Sequence, residues 1–327
     1  MTKSTSSTLV TPSMTQSAKL IRATYIALLV FAVVAPMLGL YPIFVMKLLC
    51  FAIFACAFNL LLGFTGLLSF GHAAFFGSAA YVTGWLIKTH SVTPEVGIVA
   101  GTVAAGVIGL VVGTVAIRRQ GIYFAMITLA MAQMVYFALL QSPFTGGEDG
   151  LQGVPRGALL GMLSLESDTT LYYVVVAIFV ACFLAISRVV HSPFGQVLKM
   201  IRENEARAIS LGYRVDQYKL LAFVLSAALA GLAGSLKTLI MGFATLSDAH
   251  WSMSGEVILM TLLGGVGTFF GPVLGASIVI SLQDMLADKV GSWVTVIIGA
   301  IFVLCVMAFR KGVVGEIQAY MERRNKR

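Results

Sequence analysis

Apolar runs of about 20 residues recur along this chain, the length an α-helix needs to cross a hydrocarbon layer. No soluble core absorbs that many. With 58% hydrophobic and only 11% charged residues, the pattern predicts an all-α polytopic membrane protein. We expect about 8–10 transmembrane or half-membrane helices, with both termini cytoplasmic. The 327 residues leave no room for a separate nucleotide-binding domain. A net charge of +8 would suggest nucleic acid in a soluble chain, but here it gathers at segment ends. Positive-inside sorting accounts for that, and no nucleic-acid partner is expected. Cys50, Cys56, Cys182 and Cys305 fall inside apolar runs without a CxxC, so they read as packing residues rather than metal ligands.

Three domains follow from composition. Residues 1–20, rich in Ser and Thr, read as a disordered cytoplasmic tail, residues 21–310 as the membrane domain, and 311–327 as a basic cytoplasmic tail. Spans are expected near 21–40, 43–62, 95–117, 121–141, 171–187 and 219–241. Ala105, Gly109 and Gly113 in one span, and Ala227, Gly231 and Ser235 in another, form small-residue faces suited to close helix contact. The loop from about 142 to 170 is acidic and should be external. It serves either the outer gate and a docking protein, or as a flexible connection. The basic loop 188–219 and the basic tail on one side require an even number of crossings between them. We expect 255–287 to enter from outside, break at the glycines of 262–272 near mid-membrane, and return. Asp284, Asp288 and Lys289 would then be external.

Two stretches carry the functional signal. The first is Arg188–Lys219, a charged island between apolar blocks. Ser192-Pro193 reads as an N-cap and Gly212 as a stop, so one amphipathic helix is expected from about 193 to 211. Its apolar stripe is Phe194, Val197, Leu198, Ile201, Ala208 and Ile209, with Glu203 and Arg207 as an i, i+4 pair. A solvated loop or a helix on the lipid surface is the plainer reading. The second stretch is Asn59–Tyr81, where Gly63, Gly66, Gly71 and Gly77 interrupt a span holding Thr65, Ser69 and His72. Broken helix at membrane depth survives only when buried in protein or lining a wet cavity. For His72, a hydrogen-bonded structural histidine stands beside a path residue as a reading.

Several blocks resemble a known family. GLLSFGHAAFFG (66–77), RQGIYFAMITLAMA (119–132), Thr145-Gly146-Gly147 with Asp149-Gly150-Leu151 and Pro155, and Gly264-Gly265-Val266-Gly267 before Gly271-Pro272 resemble the LivM-type permeases of branched-chain amino-acid ABC importers. Glu205-Ala206, with Arg207 in third place and Gly212 following, resembles the loop with which such permeases engage an ATPase. The resemblance implies a homologous LivH-type permease, two ATP-binding subunits, an external substrate-binding protein and a bacterial inner (plasma) membrane as partners and setting. It implies no cofactor and no catalysis in this chain, with ATP bound by the partners. Glu203, Glu205, Ala206, Arg207 and Gly212 are expected at the ATPase contact. Thr65, Ser69, His72, Thr128, Gln133, Gly264, Gly265 and Gly267 are expected along the path. Related permeases carry urea or short amides, so that substrate stays open. A standalone channel or secondary transporter would call for intramembrane ionisable groups, and only His72, Lys237 and Glu256 offer themselves, the last two expected at the interface.

Overall fold

A computed structural model describes residues 41–159, 161, 163–308 and 312. Expectations for 1–20, for a span at 21–40, for the basic tail and for both termini lie outside the described residues. The described chain is helical almost throughout: α1 (Pro42–Thr65), α2 (His72–His90), α3 (Pro94–Ala116), α4 (Ile122–Gln141), α5 (Asp168–His191), α6 (Pro193–Glu203), α7 (Glu205–Ser210), α8 (Val215–Met241), α9 (Trp251–Gly264), α10 (Gly271–Val290) and α11 (Val294–Ala308). Its one two-stranded ribbon pairs Ala158–Leu159 (β1) with Leu163–Ser164 (β2). Five helices, α1, α3, α4, α5 and α8, are long and apolar enough to cross a membrane. The chain is thus an all-α polytopic membrane protein.

α1, α2 and α8 lie inside the bundle, and α3, α4 and α5 flank them with more than half of their residues exposed or only partly buried. The two small-residue faces read from the sequence meet each other. Gly101 lies against Ser235, Ala105 against Gly231, and Gly109 against Ala227, so α3 and α8 run antiparallel along a four-residue step. On the other side of α3, Val96, Val99, Val103, Val107 and Leu110 form an exposed apolar stripe suited to acyl chains. A Cβ on Gly231 would press on Ala105 and come within 3.2 Å of the Ala79 Cβ. Gly231→Ala should therefore cost about 1–3 kcal/mol of overpacking. The check is thermal unfolding of the purified chain, and an unchanged midpoint would mean that these helices do not pack this closely.

Charge sorts to the two ends of the bundle. One end carries Arg118, Arg119, Lys199, Arg202, Arg207 and Arg214, and the other carries Glu148, Asp149, Glu166 and Asp168. At the acidic end the 142–167 loop is tied down rather than free. Leu151 and Ala244 exchange backbone hydrogen bonds of 2.9 Å, Arg156 pairs with Asp168 at 2.5 Å, and the Thr145 hydroxyl is buried within 2.6 Å of two carbonyls.

The expected glycine break is present. α9 and α10 pack on each other and are joined by residues 265–270, where Gly265 (φ 120°) and Gly267 (φ 77°) take backbone that favours glycine. The break is not midway along the bundle. It lies beside Gly63 at the end of α1 and beside Arg202 of α6, that is, at the basic end. α9 at 14 residues spans about 21 Å, enough to bring its end there from the opposite side. A hairpin and two full crossings carry the same parity, so charge counting could not have placed the turn. Asp284 and Lys289 are exposed near the far end of α10, while the Asp288 side chain lies outside the described residues.

Candidate functional site

The charged island folds as two helices, not one. Ser192 caps α6 as expected, its Oγ accepting from the Gly195 amide at 3.3 Å, with Pro193 in the first turn. Asn204 then leaves helical geometry (φ −158°, ψ 98°) and its Oδ1 caps α7 through the Arg207 amide at 3.0 Å. The interruption separates Glu203 from Arg207, and no ion pair joins them among the described residues. An i, i+4 pair needs the continuous helix that Asn204 ends. Glu205 instead reaches the buried Lys219 of α8 at 2.7 Å. Gly212 stops α7 at φ 86°, a conformation glycine adopts without strain.

Burial divides the two helices by role. Gly195, Leu198 and Ile201 on α6 pack inward, and Ala208 joins Ile201 and Val215 in a small apolar cluster. Ile209, expected in the buried stripe, is exposed. With Leu211, Tyr213, Arg207, Ala206 and Ser210 it forms an exposed, partly apolar and partly charged surface. Exposed apolar side chains of this kind, rimmed by charge, suit contact with another protein or with the lipid surface.

Arg202 was not singled out in the sequence, and it links this surface to the broken helices. Its Nη1 donates to the Gly63 carbonyl in the last turn of α1, where carbonyls lack helical partners. A cation there also opposes the negative end of the helix dipole. Gly66 and Gly267 lie against the same side chain. From α1, Asn59 completes the junction: its Oδ1 accepts from the Gly267 amide at 2.9 Å and its Nδ2 donates to the Thr268 carbonyl at 2.9 Å. One arginine and one asparagine thus hold the ends of α1 and α9 together. Each bridges more than 130 positions, so no local sequence signal reports it.

The expected path residues are placed as follows. Thr65, Ser69, His72 and Thr128 are all buried, and their side-chain polar atoms are engaged inside the chain except His72 Nδ1, which has no hydrogen-bond partner among the described residues. Thr65 Oγ1 donates to the Leu61 carbonyl. Ser69 Oγ accepts from the Gly71 amide at 3.1 Å, and Thr128 Oγ1 accepts from the Phe70 amide at 3.1 Å while donating to the Ala125 carbonyl at 2.9 Å. His72 Nε2 lies 2.8 Å from Ser226 Oγ. That hydroxyl donates its single proton to the Ala57 carbonyl, so Nε2 is the donor to it. Phe58, Phe75 and Phe223 surround the ring edge to face. The ring is thus packed among aromatics and held through one nitrogen. Gln133 is half-buried on α4, Gly264 and Gly265 are buried, and Gly267 is partly exposed beside Arg202. Of the two groups expected at the interface, Lys237 instead forms a buried ion pair with Asp248 at 2.7 Å, and Glu256 on α9 accepts a hydrogen bond from Gln283 on α10.

Comparison with known proteins returns the family that the motifs resemble. The family model for the permease component of branched-chain amino acid transport systems matches residues 40–306. The chain is 28% identical over 290 residues to the high-affinity branched-chain amino acid transport system permease protein LivM of Escherichia coli, covering 80% of this chain and 68% of that one. The Salmonella typhimurium LivM matches at 28% over 289 residues with the same coverage. An autoinducer 2 import system permease, LsrC of Klebsiella pneumoniae, is 29% identical over 154 residues, 44% of this chain and 42% of its own. No solved structure matches significantly.

Proposed function

The chain belongs to the family of branched-chain amino acid transport permease components, and from that premise we propose that it is the permease subunit of an ATP-driven importer for branched-chain or similar apolar amino acids. A homologous permease completes the path, two ATPase subunits grip the basic end, and an external binding protein delivers substrate at the acidic end. The setting is the bacterial inner membrane, crossed several times. The chain is non-catalytic, and ATP is bound and hydrolysed by the partners.

The observation that carries this reading is the exposed α7 surface, supported from beneath by α6, whose Arg202 reaches both broken segments. Glu203, Ala206, Arg207 and Gly212 shape the ATPase contact, and Glu205 holds α7 in place from its pair with Lys219. A push on α7 by a closing ATPase moves α6. Arg202 then carries the displacement to the end of α1 and the α9–α10 turn, so access switches sides by movement of packed elements. Ser69 and Thr128 support the path from behind by holding its broken backbone at the Gly71 and Phe70 amides, with Thr65 and His72 buried beside them.

The test is uptake of labelled leucine into proteoliposomes containing this chain, its permease partner, the ATPases and the binding protein, with urea as competitor. Accumulation should require ATP and every partner. Entry without ATP or without partners would replace the importer with a channel, and displacement by urea would move the substrate to amides.

A further inference from the structure

The segment Gly66–Gly71, between α1 and α2, is not helical. α2 runs parallel to α8, with His72 beside Ser226, Gly234 against Phe76, and Thr238 against Ala80. Ser226 lies 11 residues into α8, so α2 begins about 16 Å from that helix end. Gly66, by contrast, touches Arg202 at the basic end. The six residues therefore climb through the depth of the bundle as non-helical chain, leaving α1 at a left-handed Gly66 (φ 76°) and returning to helical geometry at Gly71. Their burial alternates: Leu67, Ser69 and Gly71 are buried, while Gly66 and Leu68 are exposed, Leu68 at 36%, and Phe70 is half-exposed.

The backbone of this segment is only partly satisfied. Gly66 donates to the Leu62 carbonyl, and the Phe70 and Gly71 amides find the side chains of Thr128 and Ser69. Among the described residues the amides and carbonyls of Leu67, Leu68 and Ser69 have no hydrogen-bond partner. Free peptide groups at this depth cannot face acyl chains, because lipid offers them nothing to bond. The exposed valines of α3 differ here, since every peptide group beneath them is spent in a helix.

We propose that Gly66–Gly71 is a wall of the translocation path. It takes a small solute with one polar and one apolar end. The free peptide groups replace hydration at the charged end of an amino acid, and Leu68 and Phe70 meet its aliphatic side chain. This rests on the importer reading and adds to it a surface distinct from the polar residues Thr65, Ser69 and His72, which face away from the path.

The experiment uses the assembled complex with Cys50, Cys56, Cys182 and Cys305 replaced, and Leu68→Cys introduced. A charged, membrane-impermeant methanethiosulfonate is the probe, with Val107→Cys on the exposed stripe of α3 as the lipid-facing control. Leu68→Cys should react at least about tenfold faster, because a charged probe reaches a wet surface and not one covered by lipid, and leucine with binding protein and ATP should slow the reaction. Phe70→Cys gives the same reading should Leu68→Cys fail to assemble. Reaction as slow as at Val107→Cys, or fast reaction only when the partner permease is omitted, overturns the proposal and makes the surface lipid-facing or a subunit contact. Leucine uptake by the parent complex is measured in parallel. Intact uptake with an unreactive Leu68→Cys removes the path wall and leaves the importer standing.

Discussion

Glu205→Lys is expected to abolish ATP-driven leucine uptake while the chain still reaches the membrane. Lys219 Nζ lies 2.7 Å from Glu205 Oε1, with the lysine side chain 4% and the glutamate 25% exposed. Reversal leaves a buried ammonium without its partner and sets a second cation beside it. Removing one member of a buried pair typically costs about 3–5 kcal/mol, with the partial exposure of Glu205 placing this pair toward the lower figure. Glu205 also opens α7, where a negative charge suits the helix dipole and a positive one opposes it. α7 has only six residues and cannot persist by its own hydrogen bonds. What holds it is this pair, the Asn204 cap and Ala208 in its small cluster. Without the pair the exposed face of Arg207, Ile209 and Leu211 loses its fixed position, so the ATPases lose their grip. Glu205→Gln should give a milder defect, and adding Lys219→Glu to Glu205→Lys should recover part of the uptake. The readouts are initial uptake rate and the amount of chain in the membrane fraction. Uptake at the wild-type rate in Glu205→Lys would sink the docking role of α7.

Most of the architecture was legible because membrane helices announce themselves by length and by their small-residue faces. Ala105, Gly109 and Gly113 were readable as a contact face from one four-residue step, and so were Ala227, Gly231 and Ser235; that the two faces meet is a fact of the fold. The glycine break at 265–270 was visible for the same local reason. The depth of that break was not, because it depends on Asn59 and Arg202, which contact it from distant parts of the chain. The split at Asn204 had a signal that the amphipathic stripe outweighed, a capping residue directly before an acidic helix start. For the candidate path, sequence named a segment, and the fold adds which of its polar side chains are tied up inside the chain. Polar residues inside a membrane segment can meet a passing solute or nearby backbone, and only coordinates show that Ser69 and Thr128 bond backbone amides while His72 bonds Ser226.

Lys237 illustrates the same limit, and it carries the second large effect. Near the end of α8 it read as an interfacial lysine, yet its side chain is 10% exposed and pairs with Asp248, 5% exposed, at 2.7 Å. The ammonium also lies 4.4 Å from the Phe243 ring centroid. Asp248 does more than balance charge: its Oδ2 accepts from the Thr245 amide at 3.0 Å and from the Thr245 hydroxyl at 3.2 Å, closing the turn that follows α8. That turn sets Ala244 against Leu151 and Ala249 against Gly77, so it fastens the acidic-end loop to the bundle. Asp248→Ala removes both functions and leaves a buried cation with only an aromatic face. It should destabilise the chain by about 3–5 kcal/mol, read as a fall in the thermal midpoint of the purified complex. Lys237→Met should be milder, because the carboxylate keeps its Thr245 donors. Combining Lys237→Met with Asp248→Asn removes both charges and retains an acceptor for the turn, so much of the loss should return. A double variant as unstable as Asp248→Ala would show that the unpaired Lys237 charge is not what makes Asp248→Ala costly, and an Asp248→Ala midpoint equal to wild type would show that the buried pair does not hold this end of the bundle together.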